Sequence, residues 1–153
     1  REGRFRLAEH TQRAMGCRPV SNFNLVGAAQ VGKSSLTGMR LLHRLDGALP
    51  VWPVDPRPGE GSVLVEIYTA LASLEALPAH RGRKIRDHGL LDAALCGLGS
   101  EPTGKTGPID DHSSDALLTA AWLRKVGDDE ELWRPRPLTE QIARTEGWTF
   151  GAR

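Results

Sequence analysis

The spacing of apolar positions changes period several times along the chain, and each change marks an expected element. Phe5, Leu7, Ala8, Thr11, Gln12 and Met15 recur at helical spacing with Arg4, Arg6, Glu9 and Arg13 between them, and Gly16 stands where a helix stop belongs. Arg18-Pro19 then breaks the chain, and Phe23-Asn24-Leu25-Val26 reads as a short strand running into a turn at Gly27. Ser34 or Ser35 caps the next expected helix, whose apolar face is Leu36, Met39, Leu42 and Leu45 and which ends near Asp46-Gly47. Two prolines confine Leu49 to Val54 to an edge strand or an extended segment.

Beyond a loop at Asp55 to Gly61, Ser62-Val63-Leu64-Val65-Glu66-Ile67-Tyr68 is the strongest strand pattern, apolar on both faces. Such a strand belongs in a sheet covered by helices, so the expected fold class is α/β. Helices then dominate: Ala70 to Leu77, Ile85 to Leu98, Asp111 to Val126, a turn at Asp129 to Trp133, and Leu138 to Glu146, with a breaker-rich loop at Glu101 to Pro108.

A chain of 153 residues that is 39% hydrophobic is expected to form a single domain over its whole length. Twenty basic against nineteen acidic side chains leave a net charge of +1, so no global field draws the chain to nucleic acid or to an anionic membrane. Any nucleic-acid contact is expected to be local. Arg81, Arg83, Lys84 and Arg86 form one basic patch suited to a phosphate backbone, and equally a solvated helix start. The apolar stretches fall short of the ~18 residues that a membrane span needs. No signal peptide precedes Cys17 and Cys96, which predicts free thiols in a reducing, cytoplasmic setting, with Cys96 buried in its apolar run. Arg1 to Met15 opens as a mid-domain helix, which suggests further sequence upstream.

Gly27-Ala28-Ala29-Gln30-Val31-Gly32-Lys33-Ser34 satisfies the phosphate-loop pattern between a strand-like run and a helix. In a nucleotide site its backbone N–H groups would cradle phosphates, Lys33 would reach the outer phosphates and Ser34 would ligate magnesium. The structural alternative is that two glycines and small residues serve close packing at a junction, with Lys33 solvated. A nucleotide hydrolase also needs a second carboxylate for magnesium, and only Glu66 follows on a convincing strand.

Glu66 interrupts a run suited to burial, where a carboxylate is costly unless a cation, a hydrogen-bond network or a cleft receives it. The alternative is an edge position, with Glu66 and Tyr68 together on a solvated face. On the later helix, Asp111 and Asp115 are four apart and His112 and Asp115 three apart, so at least two of the three project together as a chelating face. Asp110 or Asp111 also suits an N-cap, the cap being the favoured role for Asp111 taken alone, His112 reads equally as an exposed bystander, and Asp115 abuts the small residues of the helix at the edge of the core.

A strand glutamate followed by a helix carrying His-x-x-Asp-Ala resembles the acidic site of RNase H-like nucleases, in particular the RuvC-type resolvases. Three further stretches resemble an uncharacterised family of predicted nucleases of that fold: Val26 to Gly32 with Ser35-Leu36-Thr37-Gly38-Met39, then Val51-Trp52-Pro53-Val54-Asp55, then Val65-Glu66-Ile67-Tyr68. The tail Ile142 to Phe150 resembles that family's ending. The resemblance implies an RNase H-like sheet covered by helices, metal-dependent phosphodiester hydrolysis, and Glu66, His112 and Asp115 as catalytic residues. With Asp111 added from the chelating face of the helix, the expected ligands of magnesium or manganese are Glu66, Asp111, His112 and Asp115. RNase H-like sites begin with an aspartate on the first strand, and nothing upstream of Phe23 matches that strand. Either the chain is the C-terminal portion of such a domain or this variant lacks the residue. A nucleotide-binding protein using Gly27, Gly32, Lys33 and Ser34, and a non-catalytic interaction domain, are the rival readings.

Overall fold

The computed structural model describes residues 4–27, 29–80 and 83–153. The chain is mixed α/β and mostly helical, and it divides into two compact units: Arg1–Glu66 with Trp133–Arg153, and Ile67–Leu132. Its one sheet among the described residues has two parallel strands, β1 (Val51–Trp52) and β2 (Leu64–Val65), in register Val51 to Leu64 and Trp52 to Val65.

In the first unit, α1 (Leu7–Ala14) buries Ala8, Glu9 and Gln12, and α2 (Val31–Leu45) follows. The helix α2 starts earlier than Ser34 or Ser35 would place it, with Gln30 at the N-cap, and it closes at Asp46, whose φ is 45°. No strand forms at Phe23 to Val26, which is a turn and an irregular segment. The pattern of four largely apolar residues found no partner strand, and Phe23, Leu25 and Val26 remain exposed. β1 is short because prolines flank it: Pro50 and Pro53 lack the N–H that would carry the ladder further. The expected strand Ser62 to Tyr68 shrinks with it to Leu64–Val65, extended by one bridge from Glu66 to Thr149. Beyond it Tyr68 already precedes the next helix.

The short α7 (Glu140–Thr145), capped by the Thr139 hydroxyl, leads into a tail whose Trp148 and Phe150 are fully buried. The Trp148 indole donates to the Ala152 carbonyl at 3.0 Å. Phe150 packs edge-on against Trp52, and Trp133 lies 4.6 Å from it between ring centroids. Trp52 meets both Trp133 and Phe150 edge-on, a geometry that suits the charge distribution of aromatic faces and edges, while Trp133 and Phe150 are tilted by 54°.

The second unit packs three helices on one another: α3 (Thr69–Ala76), α4 (His88–Gly97) and α5 (Asp111–Val126). Their apolar faces supply Leu71, Leu91, Leu95, Leu118 and Trp122 to the core. The helix expected from Ile85 begins only at His88, because Asp87 is its N-cap and accepts from the Leu90 N–H at 2.9 Å. Residues 85–87 are therefore extended and exchange backbone hydrogen bonds with the stretch before α5: His88 N to Gly107 O and Ile109 N to Arg86 O, both 3.0 Å. Asp92 pins the intervening loop by accepting from the Thr103 hydroxyl and N–H, each at 2.7 Å. The Thr103 hydroxyl is the largest of the influences that hold its carboxyl below the usual range. The remaining helix, α6 (Glu130–Trp133), spans the sequence boundary of the two units. Cys17 is buried and Cys96 exposed, the reverse of the expectation for Cys96: its position on α4 faces solvent although the run around it is apolar.

Candidate functional site

Glu66 lies in the first unit and Asp111, His112 and Asp115 in the second. Each set has its own local partners.

Around Glu66 the cost of a carboxylate on an apolar strand is met by a cation. Glu66 Oε1 accepts from Arg6 Nη2 at 2.6 Å and from the Thr149 hydroxyl at 2.7 Å, and Oε2 accepts from Arg6 Nη1 at 2.8 Å. Arg6 itself is only 7% exposed, and its Nε donates to Glu9 Oε1 at 3.1 Å. Glu9 also reaches back to the Arg6 N–H at 3.0 Å, closing the first turn of α1, and accepts from the Asn22 N–H at 2.9 Å. Burial works to raise the pKa of Glu66, but the hydrogen bonds and charge of Arg6, helped by Thr149, outweigh it and hold the carboxyl below its ordinary value. Burial likewise opposes the charge on Arg6, and Glu66 and Glu9 more than offset it, so the guanidinium titrates above its ordinary value. Glu66 is thus ionised at neutral pH and already supplied with a counter-ion.

Arg6 is the residue that sequence reasoning missed, since it reads as one of the polar positions on the outer side of α1. The available signal was Glu9 three residues on, the spacing by which an acid returns to the start of a helix.

At the start of α5, Asp110 rather than Asp111 is the N-cap: its side chain accepts from the Ser113 N–H at 2.9 Å, and Ser113 holds its carboxyl below the usual range. This leaves Asp111 and Asp115 for other partners. Arg86 Nε donates to Asp111 Oδ1 at 3.1 Å, and Lys84 Nζ donates to Asp115 Oδ2 at 2.7 Å. The extended course of residues 84–86 explains the pairing. Lys84 and Arg86 point one way along the acidic face, Ile85 points into the core, and the buried Ser114 hydroxyl donates to the Ile85 carbonyl at 2.9 Å. Lys84 and Arg86 are therefore not a helix start. His112 is exposed beside Asp115, Arg83 is exposed, and Arg81 lies outside the described residues.

The structure thus brings the candidate cations onto the candidate metal ligands. All four partners are substantially solvated, so each pair is worth only about 0–1 kcal/mol. Among the described residues no three His, Cys, Asp or Glu side chains converge as a metal site. Two carboxylates one helical turn apart still match the way magnesium is commonly held, through one or two carboxylates with water and substrate phosphate completing the shell.

The phosphate-loop segment is arranged differently from a nucleotide cradle. The Gly32 N–H donates to the Asn24 carbonyl at 3.0 Å, and the Lys33 and Ser34 N–H groups donate to the Gln30 carbonyl at 3.1 and 3.2 Å. These are the donors a phosphate would need. Gly32 is required instead by packing: a Cβ there would stand 2.5 Å from the Asn22 carbonyl oxygen. Gly27 has a φ of 92°, Lys33 is exposed, and Ala28 lies outside the described residues.

In comparisons with known proteins, no family model, no curated protein and no solved structure matches the chain.

Proposed function

We propose that this chain is part of a divalent-metal-dependent phosphodiesterase of RNase H-like fold, with the first two turns of α5 as the metal-binding face. The observation that carries the reading is the pair of solvated acids, Asp111 and Asp115, one turn apart and paired, among the described residues, with Arg86 and Lys84. The order of the family-like segments between residues 20 and 150 supports it independently.

Asp111 and Asp115 would hold magnesium, and His112 beside them tilts the choice toward manganese. Bound there, the ion would supply Lewis acidity toward a phosphoryl oxygen and activate water. With Asp111 and Asp115 on the ion, Lys84 and Arg86 would be free for the phosphates of the substrate, with Arg83 next to them. Two weak surface pairs would thereby be exchanged for contacts to the ion and to phosphate.

Glu66 is assigned to the same chemistry by the resemblance alone. Its carboxylate is engaged by Arg6, so serving as a ligand would require giving up that pair.

The test is hydrolysis of labelled single- and double-stranded oligonucleotides in magnesium or manganese. Asp115→Asn is expected to abolish metal-dependent cleavage with the fold intact. Glu66→Gln is assayed separately, because its loss of activity must be distinguished from loss of the Arg6 pairing. Undiminished cleavage by Asp115→Asn and Glu66→Gln would remove the reading.

A further inference from the structure

The even overall charge conceals an uneven distribution, and α2 is where it is most uneven. Lys33, Arg40 and Arg44 are its fixed charges, no acid lies within Val31–Leu45, and none of the three cations has a side-chain partner among the described residues. Gly32 is the only buried residue of the helix. Five of its apolar side chains are open to water, from 37% exposure at Leu42 to 60% at Leu41, with Val31, Leu36 and Met39 between, and Leu45 is half-buried. The neighbouring Val26 is 77% exposed. A helix of this length is marginal in water without a packed face, so the surface asks for a covering.

The arrangement around the helix axis says what kind. At 3.6 residues per turn the three cations fall within an arc of about 40°, and the apolar side chains spread over about 220° from Leu41 round to Leu36. A single partner helix covers a stripe of roughly 100° or somewhat more, short of this spread, which would leave Leu36 or Leu41 wet. A lipid interface receives the arc beyond the first turn, where Gly32 packs on the Asn22 and Asn24 carbonyls, with the helix lying at headgroup depth and its basic stripe outward. The helix is about 10–12 Å across, comparable with the Debye length of about 8–10 Å, so cations on the outer side still feel anionic headgroups.

We infer that α2 is a peripheral docking helix for an anionic phospholipid surface. Lys33, Arg40 and Arg44 supply the electrostatic attraction, and Val31, Leu36, Met39, Leu41 and Leu42 enter the interface. The inference stands apart from the metal chemistry of α5 and shares no residue with it.

The test is co-sedimentation of the whole chain with phosphatidylcholine vesicles, with and without phosphatidylglycerol. Binding to the anionic vesicles is expected, weakening as salt rises. A cation at an anionic surface is worth roughly a fivefold change in binding and one a Debye length away roughly twofold, so K33S/R40S/R44S is expected to weaken binding by about fivefold to tenfold. Met39→Asp with Leu42→Asp is expected to abolish binding. All five substituted side chains are exposed, so an unchanged near-ultraviolet tryptophan signal verifies the fold in each variant. Equal affinity for both vesicle types, or no binding to either, would overturn the inference. So would a dimer in sedimentation that the Met39/Leu42 variant dissociates, which would give the face to a second copy of the chain.

Discussion

Arg6 and Glu66, sixty residues apart in the chain, form a two-pronged ion pair, Nη2 to Oε1 at 2.6 Å and Nη1 to Oε2 at 2.8 Å. The pair ties the start of α1 to the end of β2, and the Thr149 hydroxyl joins it on Oε1 at 2.7 Å. Replacing Glu66 leaves a nearly buried guanidinium with Glu9 as its remaining acid. Glu66→Gln is expected to cost about 1–2 kcal/mol in urea unfolding, toward the low end for a charged hydrogen bond because about half of the Glu66 side chain meets solvent. Thr149→Val, which removes only the third bond to the carboxylate, should cost less.

The same pair has a pH signature. The folded-state pKa of Glu66 is lowered from 4.5, so the unfolded chain takes up the proton first as pH falls. Its contribution is full above the unfolded value and drains away as pH descends through the folded value; Arg6 stays charged throughout. Unfolding midpoints of the wild type should therefore fall more steeply below about pH 4.5 than those of Glu66→Gln. Parallel curves would show that Arg6 does not stabilise the ionised carboxylate.

Gly32 and Lys33 separate packing from nucleotide chemistry. The Asn22 carbonyl that an alanine Cβ would meet is backbone and has little room to give, so Gly32→Ala should destabilise by about 1–3 kcal/mol. Lys33→Ala, on an exposed side chain, should stay within about 0.5 kcal/mol. Calorimetry with ATP should show no binding in the wild type, since the cradle's N–H groups are engaged internally.

The acidic face of α5 predicts a coupling. If metal takes Asp111 and Asp115 while phosphate takes Arg86 and Lys84, each ligand removes the competitor of the other, and the coupling is reciprocal. Oligonucleotide affinity, measured by fluorescence anisotropy, should rise several-fold with magnesium in the wild type. It should rise little or not at all in Asp111→Asn/Asp115→Asn, whose own affinity without metal should exceed that of the wild type because the cations are released.

Periodicity made the helices legible: Asp111 to Val126 is α5 to the residue, and Asp110 is its cap by the rule that favours a short polar side chain there. The strands were less so. Phe23 to Val26 carries strand-like residues, but a strand exists only where a partner offers hydrogen bonds, and propensity does not contain the partner. Pro50 and Pro53, visible in the sequence, limited β1 and through it β2. Of the candidate site, the acids and the cations were each legible as residue types. Their pairing was not, because it depends on residues 84–86 being extended, which the N-cap Asp87 decides. Arg6 was only partly legible, since Glu9 three residues on marks the helix start but Glu66 comes from far along the chain.

The most direct measurement is a calorimetric titration of magnesium and manganese into the whole chain and into Asp111→Asn/Asp115→Asn. The two replaced ion pairs are solvated, so the variant should unfold within about 1–2 kcal/mol of the wild type and serve as a folded control. The account predicts saturable binding to the wild type, tighter for manganese, that the variant loses. Binding that survives unchanged in the variant, or no binding by the wild type, would contradict it.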